Sequence, residues 1–306
     1  MAKSFKELLE LSKKRGPKVI SVAVSQDRDV LLAVKNATDS GIVIPILVGD
    51  EKKTREISKE IEFDLEAIEI INEMDKTLAA RKATELVNLG KADVLMKGLV
   101  DTSIIMKQVL DREIGLRTDR IISHVAVFDM DTYHKIFLVT DAAMNIAPDL
   151  GQKKQILENA IELAHSLDIE IPKVAVIASK EKVSLKMEAT VDAKALSDMN
   201  KNGEFKGALV EGPLALDNAV SKESAKIKGI EGQVAGDVDI LLVPGIDAGN
   251  VLYKSLTFLA NAKSAGLILG AKSPIVLTSR ADNKEAKLNS IALAVLLAAK
   301  QEGQND

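Results

Sequence analysis

The chain has 306 residues, 46% hydrophobic and 28% charged, with no cysteine and a formal net charge of −4. That length fits about two domains at roughly 150 residues each, and the composition excludes a dominant disordered state, a disulfide framework, a thiolate metal centre and a cysteine nucleophile. Slight acidity offers a polyphosphate backbone no general attraction, and two Tyr, six Phe and no Trp leave little to stack on bases, so nucleic acid is not an expected partner.

The opening MAKSFKELLELSKK lacks the apolar core of a signal peptide, and a cytoplasmic location is the expectation. Ser4 and Glu7 form a capping-box pattern at the head of a first helix, and the lysines from Lys3 to Lys18 read as its solvated face. Runs rich in Val, Ile and Leu then recur at 19–24, 42–48, 94–96, 121–128, 135–140, 173–177, 208–211, 240–243, 267–269 and 275–278. They predict buried strands of a mainly parallel sheet system. Helical stretches lie between them, with Gly41 and Gly90 as stop signals, and alternation of strand and helix defines an α/β fold. The longest uninterrupted apolar run, 291–299, has nine residues. A bilayer-spanning helix needs about 20, so no membrane segment is expected. The tail from Gln301 is expected to fray.

Ligands of open parallel sheets bind beyond the carboxyl ends of strands. Five such places combine small residues with single polar or charged ones: 97–102, 140–145, 211–217, 244–250 and 278–282. No two glycines stand two apart, and the five-residue spacing from Gly207 to Gly212 runs into Pro213, so both the dinucleotide fingerprint and the P-loop are absent. Gly249-Asn250 is expected to open a helix running towards Ala265, whose free N–H groups favour an anion; a plain loop and helix cap is the alternative. Arg280, following a buried strand beside Ser279, either pairs with an acid such as Asp282 or receives an anion. The three histidines share no ligand spacing: His165 reads as an ordinary helix residue and His124 as a core histidine on a strand. Asp129/Asp131 and Asp237/Asp239 read as a turn or a strand entrance, and no metal site is expected. The residues thus lead to an α/β protein with an anion site assembled from strand ends, and leave its substrate open.

Six ordered segments carry a resemblance: LMKGLVDTS (95–103), ISHVAVF (122–128), TDAAMNIAPDL (140–150), EGPLALDNAVS (211–221), VAGDVDILLVPGIDAGNVLYKSL (234–256) and SPIVLTSRAD (273–282). Across almost the whole chain they resemble the phosphate acetyl/butyryl transferase family. The Lys-Gly pair before Asp101-Thr102 and the Arg-Ala-Asp after Ser279 resemble its butyryl branch. The resemblance implies two α/β/α domains of the isocitrate/isopropylmalate dehydrogenase type with the active site in the cleft between them. The first would comprise 1–121 with 267–306, and the second, inserted, 122–266. It further implies reversible transfer of a butanoyl or similar short or branched acyl group between CoA and inorganic phosphate, both of them substrates, with no cofactor and no metal. A homodimer or higher homo-oligomer assembled through the second domain, and a functional link to a butyrate kinase, are also implied.

Residue by residue, the resemblance implies Ser279 and Arg280 as catalytic groups, with Glu285 or Asp282 as the base. Lys97, Gly98, Thr102, Lys107, Asp141, Asn145, Gly212, Asp217, Gly249, Asn250 and Lys254 are the implied substrate-binding residues. The acetyl branch has an Arg near the position of Lys107 and an Asp where Ala286 stands here. Acetyl specificity is one rival reading, and a non-catalytic module sensing acyl-CoA or phosphate is another. The third, a metal- and nicotinamide-dependent decarboxylating dehydrogenase, needs clustered carboxylates and an Arg-rich pocket that the sequence does not display.

Overall fold

The computed structural model describes residues 2–277 and 283–303. From the N-terminus the chain forms α1 (Phe5–Arg15), β1 (Lys18–Ala23), α2 (Arg28–Asp39), β2 (Val43–Gly49), α3 (Glu51–Glu60), β3 (Glu69–Asn72) and α4 (Lys76–Asn88). Next come β4 (Val94–Lys97), α5 (Thr102–Val109), β5 (Ser123–Asp129), β6 (Phe137–Thr140), α6 (Leu150–Ser166), β7 (Lys173–Ile177) and α7 (Glu188–Lys201). The remainder holds β8 (Leu209–Leu214), α8 (Leu216–Val220), α9 (Lys222–Ile227), β9 (Ile240–Leu242), α10 (Ile246–Lys254), β10 (Lys263–Leu269), β11 (Ile275–Val276) and α11 (Lys284–Glu302). The result is a mixed α/β protein in two compact units, one of Phe5–Arg120 with the described residues from Ala265 onward, the other centred on Ile121–Ser264. Among the described residues no helix is long and apolar enough to cross a membrane.

In the first unit the strands lie in the order β3-β2-β1-β4-β11-β10. Val22 sits opposite Leu47 on one side and Met96 on the other, both pairings parallel, and all three side chains are buried. Such strands are apolar on both faces because helices cover both. Asp27, Asp50 and Asp75 start α2, α3 and α4 by accepting hydrogen bonds from backbone N–H groups two or three residues on. The apolar run that opens at Ile291 is the interior of α11, where every residue from Ile291 to Ala298 is buried. Each such Leu or Ile removed from water contributes about 1.5–3 kcal/mol. Gln301 and Glu302 remain helical rather than frayed, and Glu302 pairs with the buried Lys18 ammonium. Strand β3, Glu-Ile-Ile-Asn, is a half-exposed edge whose flanking polar residues hide its strand character in the sequence.

The second unit has the order β5-β6-β9-β7-β8. Here β6, β9, β7 and β8 are parallel, while β5 and β6 form an antiparallel hairpin with Val127 opposite Leu138. The hairpin's Phe128 and Phe137 stack at 5.7 Å, and Tyr253 of α10 meets Phe128 edge-on at 5.4 Å. The amino ends of the parallel strands are closed by charge. Lys135 contacts Asp239 at 2.6 Å and Asp237 at 3.1 Å, Lys173 also pairs with Asp237, and His134 reaches it at 2.8 Å. Burial pushes the Asp237 carboxyl up, but hydrogen bonds from Lys173, Lys135 and His134 outweigh it and hold the group well below the usual carboxylate range. The Asp237/Asp239 pair therefore stands at a strand entrance, matched by cations of this chain.

Candidate functional site

In the first unit, β1 joins β2 on one side and has β4 on the other, so the direction of sheet growth reverses between β1 and β4. At such a reversal a crevice opens beyond the carboxyl ends of the two strands. Two loops meet there. Gly98 and Leu99, after β4, donate backbone hydrogen bonds to Ala23 and Val24 at 2.8 Å each. A Cβ on Gly98 would stand 2.3 Å from the Val24 carbonyl oxygen, so only glycine allows this approach. Val24 itself has φ +58°, a conformation that costs a β-branched residue about 1–3 kcal/mol and that clusters at functional sites. The buried Lys97 ammonium lies against the carbonyls of Gly98 (3.3 Å) and Val100 (3.2 Å), shaping the loop from within. Thr102 stands exposed at the first position of α5.

Across the crevice, Ser25 bonds Thr54 at 3.0 Å, Gln26 accepts from the Asp50 N–H at 3.3 Å, and Arg28 opens α2. Arg28 is exposed, has no ion-pair partner among the described residues, and places its charge at the helix end that disfavours cations. Reading strand ends from the sequence picked out the loop after β4 and passed over the loop after β1. The signal available was the polar Ser-Gln-Asp-Arg directly after an apolar run.

In the second unit, the loop after β6 and the start of α10 lie together at the carboxyl ends of β6 and β9. Asp141 is 3% exposed, and its carboxylate accepts hydrogen bonds from the N–H groups of Ala143 (2.8 Å), Met144 (2.9 Å) and His124 (3.2 Å), and from the Asn145 amide (2.6 Å). Asn145 also donates to the Ile122 carbonyl at 2.9 Å. His124 is buried on β5, as a core histidine, with its ring 6.2 Å from that of Tyr253. Asn250 donates to the Ala142 carbonyl at 3.4 Å, and Ile246 to that of Ile146 at 3.1 Å.

Gly249 and Asn250 do not open a helix towards Ala265. The helix begins at Ile246 and ends at Lys254, a π-helical turn occupies Ser255–Leu259, and Lys263 already starts a strand. The glycine serves packing within a helix instead of a turn. A Cβ there would stand 2.6 Å from the Asp141 carbonyl oxygen.

The remaining predicted residues lie outside these two loop clusters of their own units. Gly212 lets β8 approach β7, since a Cβ would stand 2.8 Å from that of Val176. Asp217 pairs with Lys228 at 2.9 Å and accepts from Ser224 at 2.7 Å, both of which lower its pKa. Lys107 lies exposed in the last turn of α5, where the helix dipole favours a cation, and Lys254 is exposed at the end of α10. The ring of His165, in the last turn of α6, bonds the Gly207 carbonyl at 3.0 Å. Glu285 is exposed in the first turn of α11, and the N-cap of that helix is Asn283, which accepts from the Ala286 N–H at 2.9 Å. Ser279, Arg280 and Asp282 lie outside the described residues. Among the described residues no group of three or more His, Asp or Glu is placed to hold a metal ion.

This mixed α/β framework with small-residue loops at strand ends is shared with phosphotransacylases, which are acyltransferases. The chain belongs to the phosphate acetyl/butyryl transferase family, whose family model, described as "Phosphate acetyl/butaryl transferase", matches residues 4–81 and 73–295. Within the family it is 47% identical over 300 residues to the phosphate butyryltransferase of Clostridium beijerinckii, covering 98% of this chain and 99% of that protein. It is 42% identical over 297 residues to a phosphate acetyltransferase of Rhizobium meliloti, covering 97% of this chain and 94% of that protein. Among solved structures it is similar to a branched-chain phosphotransacylase from Enterococcus faecalis V583, with a TM-score of 0.81 at 36% identity over 92% of this chain and 99% of that one.

Proposed function

We propose that the chain catalyses the reversible transfer of a butanoyl, or similar short or branched acyl, group between CoA and inorganic phosphate. The observation that carries this reading is end-to-end similarity: 47% identity with a phosphate butyryltransferase against 42% with a phosphate acetyltransferase. CoA and phosphate are the substrates, and no cofactor enters. The two units correspond on this reading to the two α/β/α domains of the isocitrate/isopropylmalate dehydrogenase type, and the enzyme is cytoplasmic.

A thioester is already activated, and its thiolate, with a pKa of about 8.5, leaves without a strong acid. Catalysis therefore consists chiefly of holding phosphate against the carbonyl carbon and offsetting charge as a phosphate oxygen attacks. The new C–O bond forms, the C–S bond breaks, and the sulfur leaves as thiolate. Arg280 clamps the phosphate, Ser279 donates a hydrogen bond to the reacting sulfur or carbonyl oxygen, and Asn250 and the loop from Lys97 to Thr102 contact the substrates. In reverse the CoA thiol must lose a proton, and Glu285 or Asp282 accepts it.

A homodimer completes the reading. Val251, Phe258 and Leu259, on α10 and the turn after it, are 65%, 69% and 86% exposed. They adjoin an apolar groove of about 400 Å³ lined by Met130, Tyr133, Leu216, Leu252 and Leu256. An apolar patch of this kind marks an association surface. The acyl phosphate product is a phosphoryl donor, and a butyrate kinase consumes it.

The test is purified protein with phosphate and a panel of acyl-CoAs, with thiol release monitored. Each buried CH₂ is worth about 0.8 kcal/mol, so butanoyl-CoA is expected to exceed acetyl-CoA by about 15-fold in kcat/KM. Equal efficiency with the two counts against a four-carbon pocket, and no thiol release with any acyl-CoA favours the non-catalytic sensing module.

A further inference from the structure

We propose that Asp141 is a positioning residue for this acyl transfer, acting through Asn250 and not by touching a substrate; the assignment rests on the activity proposed above. The carboxylate is buried, yet no Lys or Arg pairs with it among the described residues. Among the described residues its hydrogen bonds all come from N–H groups, two on each oxygen: Ala143 and Met144 on Oδ1, His124 and the Asn145 side-chain amide on Oδ2. Four donors fill the four acceptor positions of a carboxylate, which leaves Asp141 nothing to offer a ligand. The same bonds turn the Ala143 and Met144 N–H groups inward, so these two do not contribute to an anion-binding nest either.

What the arrangement fixes is the outer side of the loop. The Ala142 carbonyl receives the Asn250 amide, the Ile146 carbonyl receives the Ile246 N–H, and Gly249 lies against Asp141 and Ala142 with no room for a side chain. The shape that Asp141 imposes on its loop therefore decides where α10 begins and where Asn250 stands. Burying a carboxylate is costly, and its four N–H bonds offset that cost.

The experiment is thiol release from butanoyl-CoA for a set of variants. Asp141→Asn preserves volume but sets an NH₂ against N–H donors, and a displacement of Asn250 by a fraction of an ångström is expected to lower kcat/KM about tenfold. In the Asn250→Ala background the same substitution is expected to lower it less than about twofold, because the residue it acts through is gone. Asn145→Ala, which removes one of the four donors together with the bond to the Ile122 carbonyl, is expected to show the same dependence on Asn250 and serves if Asp141→Asn does not fold. Lys153→Met breaks the buried Lys153–Asp192 pair of the same unit, 2.6 Å long, and is expected to lower Tm with wild-type kinetics. The assignment is overturned if Asp141→Asn and Asn145→Ala both stay within about twofold of wild type, if their effects add fully to that of Asn250→Ala, or if Lys153→Met reproduces the kinetic loss. A wild-type chain that releases no thiol overturns the activity and the assignment together; an active wild type with kinetically normal variants overturns the assignment alone.

Discussion

Two carboxylates at opposite ends of the second unit's strands, Asp141 buried and Asp237 half-buried, are stabilised in different ways. Asp141, at the carboxyl ends, is held by N–H groups, whereas Asp237, at the amino ends, is held by Lys135, Lys173 and His134. The second arrangement makes stability depend on pH with a definite sign. A carboxyl whose folded pKa lies below its unfolded value of about 3.9 contributes fully above that value, and the contribution is lost as pH falls through the folded value. Asp237→Asn is therefore expected to lower the urea midpoint at pH 7 and at pH 5 by similar amounts, with the deficit narrowing by pH 3. A deficit unchanged down to pH 3 would show that packing, not ionisation, is what Asp237 supplies.

At the scale of elements, the strands that lie inside the sheet are rich in Val, Ile and Leu on both faces, and their runs mark them in the sequence. The edge strand β3 has only Ile70 and Ile71 between polar residues and escapes such a reading. Helix α10 misleads for a different reason: its glycine sits where a neighbouring loop comes within contact distance, not where the backbone turns. That gives an element-scale test in which two effects oppose each other. Ala in place of Gly within a helix gains about 1 kcal/mol in propensity, while an overpacked contact costs about 1–3 kcal/mol. A Cβ 2.6 Å from a carbonyl oxygen belongs at the upper end of that cost, so Gly249→Ala is expected to lower the midpoint of urea unfolding. A higher midpoint would mean that α10 and the Asp141 loop are not in close contact.

For the whole molecule, the apolar face of α10 and the turn after it is a feature that a folded monomer leaves uncovered. If this face pairs with its copy, as proposed, sedimentation will give twice the chain mass of 32.9 kDa. Phe258→Asp combined with Leu259→Ser is expected to return the monomer with its circular dichroism intact, because both side chains are more than two-thirds exposed. A wild-type chain that sediments as a monomer, or a variant that remains a dimer, would remove this face as the interface.

The α/β class, the positions of the buried strands and the helical run through α11 were legible in the sequence, because buried strands and helices carry their apolar periodicity locally. The family was legible too, since loops such as 97–102 and 140–145 keep their residue order through the chain. Which of those loop residues face a ligand was not. Asp141 and Asp217 look alike as single acids after a strand, yet one is closed off by four N–H groups and the other by Lys228 and Ser224, partners separated from them along the chain or folded back upon them. Arg28 stands beside the crevice at β1 and β4 only because the strand order reverses there. Composition and periodicity are properties of neighbours in sequence, whereas the burial of a carboxylate and the start of α10 depend on contacts between distant segments, and only the tertiary structure decides those.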